Sequence, residues 1–442
     1  MSVEDRLRTA TRARADLVSD IRPLDLPARE PARLRRSPGS RRWMAWAAPA
    51  AAAALVVALA LTLVSVRQAR NESPVPAAAQ SGASAISAAD TLPEFYAALN
   101  SSFGPGPTPT PVVVGKTGAS TAMSTVRPPK GQSFVGVTGA ADDRTFVVAA
   151  EAYPAPPGAY SGAPVAWYLL RVPAVGQAAR LTKLAIPGQP AGTQVSGIAL
   201  SPSGSELAIL FQRGVWAGRN GPLTLGVYSV STGQALRTWT QQTNGARVGF
   251  GWYSGQYSNT SITWQDGRTL AFDEGVYSPP SAQPNAVFAP DPSFSDVKIR
   301  TLSLASPSGS LLAASKVVFT SKNSSCDTLQ LTLDGKSVFC GTSAGSDHSK
   351  SSAYDPKIFE YTVATGKSRL VYRRAGVFNY GVANVLWLNA DGSHLVGGVF
   401  NATQMGRGLE TGYLDDGPIS NGILKPVIFP VNGPRSAGGI AF

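Results

Sequence analysis

Gly341-Thr-Ser-Ala-Gly345 has the spacing of a nucleophile elbow, and Asp347 and His348 follow it closely. Such an elbow lifts a serine hydroxyl out of a sharp strand-to-helix turn in an α/β sheet, against a general base. Here the pentapeptide follows a short apolar run and enters a Ser/Gly-rich stretch, with 97 residues left after it. It reads as a polar connection between strands. Asp142-Asp143 and Asp415-Asp416 are paired carboxylates of the kind that ligate calcium; acidic pairs in turns are more often solvated. Two cysteines, Cys326 and Cys340, and two histidines, His348 and His394, are too few for a zinc site. Trp167, Trp239, Trp252, Trp264 and Trp387 stand at strand positions, where indoles pack between sheets. Trp216, in the Gly/Arg/Asn-rich stretch Arg213 to Pro222, is the candidate for an exposed binding surface. No catalytic residue, cofactor or metal ligand is assigned, and the chain is expected not to be an enzyme.

The elements that would position these residues begin with a membrane signal. Trp43 to Val66 is a run of 24 residues without a charge, flanked by Arg41-Arg42 and Arg67. At 1.5 Å per residue it reaches roughly 36 Å, enough to span a bilayer core. Residues 1–42 hold 11 arginines, no lysine and 6 acids. The excess of positive charge places that tail in the cytoplasm and residues 67–442 outside a bacterial plasma membrane. A cleaved signal peptide would have a short charged start; 42 residues precede this run, although Ala77-Ala78-Ala79 would suit a peptidase. The expected organisation is an Arg-rich tail (1–42), a single transmembrane helix (43–66), an Ala/Ser/Pro-rich linker (67–91) and an ectodomain (92–442). The net charge of +12 falls to +6 over residues 73–442 and forms no basic block there, so nucleic acid is not an expected partner. An oxidising outer compartment favours a structural disulfide between Cys326 and Cys340, brought together by two strands around Asp334-Gly335.

From Leu92 onward, short Val/Ile/Leu/aromatic runs alternate with Gly, Pro, Asp and Ser clusters, the signature of an all-β fold. One hairpin recurs: Ile198 to Leu210, Ile262 to Phe272, Leu329 to Phe339 and Val385 to Val396, with Val135 to Val147 as a variant. Its glycines, Gly204, Gly267, Gly335 and Gly392, are 63, 68 and 57 residues apart and are expected to supply the positive φ of a tight hairpin. A second hairpin follows each first one, at Val227 to Leu236 and Phe359 to Leu370, with looser copies at Gly176 and Gly309. Two hairpins per unit make a propeller blade. Gly439-Ile-Ala-Phe442 matches the innermost strand Gly197-Ile-Ala-Leu200 and is expected to complete the blade that Phe95 to Val126 begins. The expected fold is a six-bladed β-propeller, with five and seven left open by Gly408 to Pro430.

The Ser201-Pro-Ser-Gly204 and Asp-Gly hairpins resemble those of TolB-like and WD-repeat-like propellers. The layout, with Asp142-Asp-Arg-Thr-Phe-Val147, is similar to single-pass membrane proteins of high-GC Gram-positive bacteria. No Trp-Asp or Gly-His pair recurs as in WD repeats proper, so partners of that family are not carried over. The resemblance implies a fold and no chemistry. The expected function is a membrane-anchored, extracytoplasmic binding module for a protein, peptide or cell-wall ligand. A second reading is a one-span sensor, with Val3, Leu7, Ala10, Leu17 and Ile21 forming an amphipathic face toward the lipid or a cytoplasmic partner. A third is an extracytoplasmic hydrolase or lyase.

Overall fold

The computed structural model describes residues 92–100, 108–119, 121–154, 164–173, 177–190, 193–213, 222–241, 248–249, 262–277, 294–322, 326, 328–344, 355–374, 381–401, 412–421, 424–427 and 439–442. The chain divides into two units, Met1–Ala83 and Ser84–Phe442, and the described residues all belong to the second. The tail, the Trp43–Val66 span and the linker lie outside them. Among the described residues no helix is long and apolar enough to cross a membrane.

The second unit is an all-β propeller of six antiparallel sheets. From the centre outward, blade 1 holds Ile440–Ala441, Phe95–Leu99, Val112–Lys116 and Ala122–Val126. Blade 2 holds Gln132–Gly139, Thr145–Ala152, Ala166–Arg171 and Arg180–Lys183. Blade 3 holds Thr193–Leu200, Glu206–Arg213, Leu223–Ser229 and Ala235–Gln241. In blade 4 the innermost place is divided between Val248–Gly249 and Ile262–Trp264, which both pair with Thr269–Tyr277; Phe294–Ser303 and Lys316–Lys322 follow. Blade 5 holds Thr328–Leu331, Ser337–Ala344, Asp355–Thr362 and Ser368–Arg373. Blade 6 holds Gly381–Leu388, His394–Asn401, Gly412–Pro418 and Lys425–Pro426. Each innermost strand touches the next, and blade 6 touches Ile440–Ala441, so the ring is closed.

Stacked blades explain why second strands are apolar at successive positions. Phe146, Val148 and Ala150 pack toward blade 1, whereas Val147 and Ala149 pack toward blade 3. A strand sends alternate side chains to opposite faces, and here both faces are core. Leu207, Ile209 and Phe211 against Ala208 and Leu210 repeat this division one blade on.

The inner turns, between first and second strands, carry the recurrent hairpin. Gly204, Gly335 and Gly392 adopt φ of 70°, 67° and 74°, and Asp143 takes the same place in blade 2 at φ 51°. Asp tolerates this region because its short side chain bonds locally. Gly267 departs from expectation: it occupies the sequence place without the left-handed conformation. The looser hairpin expected at Gly309 is also different. Gly309–Ser310 pairs in parallel with Trp239 and Thr240 of blade 3, and Ser310 caps one helical turn, Leu311–Ala314, that buries Leu311. Gly176 lies outside the described residues.

Cys326 and Cys340 form a disulfide with a Cα–Cα distance of 4.9 Å. Cys340 lies opposite Leu329 in the hairpin of blade 5. The bond thus ties the approach to the first strand onto the second. Closing a loop of this length stabilises by about 3 kcal/mol in a chain-entropy account. Replacing both cysteines with alanine is expected to lower the unfolding free energy by about that amount, read as a shifted urea midpoint with unchanged slope. An unshifted midpoint would show that the bond constrains nothing.

Candidate functional site

Gly341 to Ala344 lie within the strand Ser337–Ala344: Gly341 is paired on both sides, with Thr328 and Ile358, and Ser343 on one, with Pro356. No elbow exists there. Gly341 has a packing role instead, since a Cβ on it would stand 2.0 Å from the carbonyl oxygen of Ala383 and 2.4 Å from Thr328 Oγ1. Thr328 Oγ1 accepts the amide of Val385 at 3.0 Å, so this glycine lets blade 6 close on blade 5. Gly345, Asp347 and His348 lie outside the described residues.

Both acidic pairs are committed to partners. Asp142 Oδ1 accepts the amides of Arg144 and Thr145 at 3.1 and 2.8 Å, and Thr145 Oγ1 donates to Oδ2 at 2.7 Å, which caps the inner turn of blade 2. Asp143 Oδ2 reaches 49 residues back to accept the amide of Glu94 at 2.5 Å. Arg144 Nη2 holds Glu94 Oε2 at 2.9 Å, its guanidinium lies over the Phe95 ring at 4.5 Å, and Lys116 Nζ stands 3.3 Å from Glu94 Oε1. The Asp142–Arg144 motif is thus a clasp on the chain where it enters the ring.

Burial pushes the Asp143 carboxyl up, against the Glu94 amide and Arg144, which pull it down. A carboxyl raised in the fold binds its proton more tightly than in the unfolded chain. Its contribution is therefore present below about pH 4 and is lost as pH rises through the folded value. Asp143→Asn keeps an acceptor and tolerates positive φ. It is expected to remove that loss: compared with the parent, the urea midpoint at pH 7 rises relative to the midpoint at pH 4. An unchanged difference would sink the assignment.

Asp415 is 2% exposed and sits between blades 5 and 6. Tyr372 Oη donates to its Oδ2 at 2.5 Å, and Arg374 Nη1 lies 2.7 Å from both of its oxygens. Burial, reinforced by Asp415, pushes the Tyr372 hydroxyl well above its usual range. Asp416 stands 3.5 Å from His394 Nε2, beside Trp387, whose ring meets the imidazole edge-on. Among the described residues, no three His, Cys, Asp or Glu side chains cluster as a metal would need.

The tryptophans divide in the same way. Trp167, Trp239 and Trp264 are buried, with Trp239 Nε1 donating to Pro307 O at 2.9 Å and Trp264 Nε1 to Ala199 O at 3.0 Å. Trp216 and Trp252 lie outside the described residues. Sequence reasoning missed Glu274, a buried acid gripped by Arg300 at 2.7 Å while that arginine also holds Ser315 Oγ and Leu312 O. The signal was available: Asp273-Glu274 interrupts the apolar strand Thr269–Tyr277.

The two sides of the ring differ. The inner turns interlock: Ala141 N bonds Pro202 O, Leu333 N bonds Ala390 O, and Gln265 Nε2 bonds Leu333 O. The entering chain joins this side, since Glu94 O accepts Thr117 N and Pro93 O accepts Thr117 Oγ1. The linked ends of the second and third strands face the opposite side; the segments between them, 100–111, 153–165, 214–222, 278–293, 345–354 and 402–411, lie mostly outside the described residues. Trp216 belongs to one of these connections.

No protein-family model matches the chain, and no curated protein matches it. Solved structures do. One, provisionally designated a dipeptidyl aminopeptidase IV of Bacteroides ovatus, is 11% identical over 73% of this chain and 44% of its own length, with a TM-score of 0.34. This chain therefore spans less than half of that protein. An oligogalacturonate lyase in complex with manganese is 12% identical over 69% of this chain and 73% of its own, with a TM-score of 0.37. A provisionally designated TolB of Agrobacterium tumefaciens is 11% identical over 71% and 89%, with a TM-score of 0.36. The expectation that the chain is not an enzyme is corrected here: a peptidase and a lyase stand among the structures it is similar to. A propeller of this kind does not place a chain outside the enzymes.

Proposed function

We propose that the propeller is a recognition module held outside the plasma membrane by the Trp43–Val66 span. It takes a protein, peptide or wall ligand on the side where the long connections leave. The observation that supports this reading is the asymmetry of the ring. One side is a rim of interlocked inner turns to which the entering chain is clasped; toward the other the second strands run out into segments of unequal length, the one that holds Trp216 among them. Binding residues concentrate on loops presented by a rigid scaffold. Hydrolase or lyase chemistry, if present, would use the same side.

Display outside the cell has a direct test. The first lysine of the chain is Lys116, so labels mapped to lysine side chains, apart from the terminal amine, report the propeller and not the tail. A membrane-impermeant amine reagent is expected to label these lysines in the full-length chain on intact cells; lysine labelling only after lysis would overturn the topology. Proximity labelling on both sides, with Trp216→Ala as comparison, then identifies the ligand. Loss of an outer neighbour in the variant supports the assigned side, and an unchanged set of neighbours argues against it. Turnover of peptide or polyuronate substrates by the purified chain would replace pure recognition with catalysis.

A further inference from the structure

We propose that the outer corner of blade 2 is a phosphate-binding site built on Arg171 and Arg180. Arg171 ends the third strand and Arg180 begins the fourth, and the two stand directly opposite each other in the antiparallel ladder. Side chains so opposed have Cβ atoms about 4.5–5.5 Å apart, so two guanidiniums share one patch. Both are exposed, and neither enters an ion pair or hydrogen bond among the described residues. Opposed like charges destabilise a strand pair. An anion between them reverses that effect.

The acids along this rim are already taken. Glu94 is held by Arg144 and Lys116, Asp142 by its own turn amides, and Asp143 by the amide of Glu94. Hydroxyl groups remain. Thr145 stands opposite Arg171 in the second strand with its hydroxyl given to Asp142, Gly204 lies against the Thr145 methyl group, and Ser203 and Ser205 flank Gly204 with their hydroxyls 2.7 Å apart. Thr182 lies on the same face as Arg180, two residues along. Planar guanidinium forks match phosphate oxygens in pairs. Two of them balance a dianion, which a single carboxylate would not supply. The site lies on the side of the interlocked turns, away from the long connections, and stands whether or not the reading above holds.

The test uses the full-length chain in zwitterionic nanodiscs, with inorganic phosphate as probe and chloride at matched ionic strength as control. Phosphate is expected to raise the thermal midpoint where chloride does not. Arg171→Gln and Arg180→Gln are each expected to raise the half-saturating phosphate concentration about tenfold. Arg180→Glu pairs with Arg171; it is expected to abolish the phosphate response and to raise the midpoint in phosphate-free buffer. A response to glycerol phosphate in zwitterionic nanodiscs assigns a soluble phosphoester. One that appears only in phosphatidylglycerol nanodiscs assigns a lipid headgroup. A response retained by Arg180→Glu, or absent from every arm of the wild type, overturns the site.

Discussion

Deleting residues 439–442 is expected to unfold the propeller rather than trim it. Ile440 pairs with Ala98 and Ala441 with Ala97, supplying the innermost strand of blade 1 from the far end of the chain. Ile440, Ala441 and Phe442 are 0%, 2% and 7% exposed; Ile440 and Phe442 cluster with Tyr96, Leu386, Val396 and Leu414, joining blade 6 to blade 1, and Ala441 packs into the cluster between blades 1 and 2. Burial of the Ile and Phe side chains contributes about 3–6 kcal/mol together. Their loss also leaves the inner edge of Phe95–Leu99 unpaired, an open strand edge inside a ring built to have none. A domain of this kind is stable by about 5–15 kcal/mol, so the deletion removes a large share. Loss of the cooperative thermal transition, or a urea midpoint lowered by at least half, is the expected result. Two milder changes guard against mere failure to express. Phe442→Ala is expected to cost about 3–5 kcal/mol. Gly139→Val, whose Cβ would stand 2.3 Å from the Phe442 carbonyl oxygen, is expected to weaken the same seam. A truncated chain with the parental midpoint would show that the ring does not depend on this strand.

The same seam shows why some of the molecule could be read from the sequence and some could not. Turn chemistry is local. Ser201-Pro-Ser-Gly204, Thr332-Leu-Asp-Gly335 and Asn389-Ala-Asp-Gly392 write their hairpins in four residues each, and the blade count followed from their recurrence. The disulfide was legible because its hairpin lies between the two cysteines. Partners distant in sequence were not. Asp143 shows as half of an acidic pair, yet its role is fixed by Glu94, and Asp415 is fixed by Tyr372 and Arg374, more than 40 residues away. Paired carboxylates read as cation ligands only when nothing else reaches them, and the sequence does not show what reaches them. The inner turn of blade 4 illustrates a further limit: Gly267 has the right neighbours, but its turn is one residue shorter, with Gln265 N bonding Thr269 O where Ser201 N bonds Glu206 O, and it does not take the left-handed conformation.

Asp415→Ala is expected to be among the most damaging single substitutions away from the seam. The carboxylate is buried, and it is the partner of both the Arg374 guanidinium and the Tyr372 hydroxyl. Removing it takes an acceptor away from a partly buried cation and from a buried hydroxyl. Breaking one side of a buried ion pair costs about 3–5 kcal/mol, much of it the penalty of the stranded charge. Tyr372→Phe removes one donor and leaves the ion pair, so it is expected to cost only about 1–2 kcal/mol. The distinguishing measurement is the combination. If the damage comes from stranded groups rather than lost attraction, Asp415→Leu with Arg374→Met and Tyr372→Phe is expected to recover most of the stability lost in Asp415→Ala, because no polar group is then left buried alone. A triple variant no more stable than Asp415→Ala would refute that account, and the triad would then be a source of net stability between blades 5 and 6. Urea midpoints of the four chains decide the matter, with unchanged slopes showing that each variant still folds to the same ring.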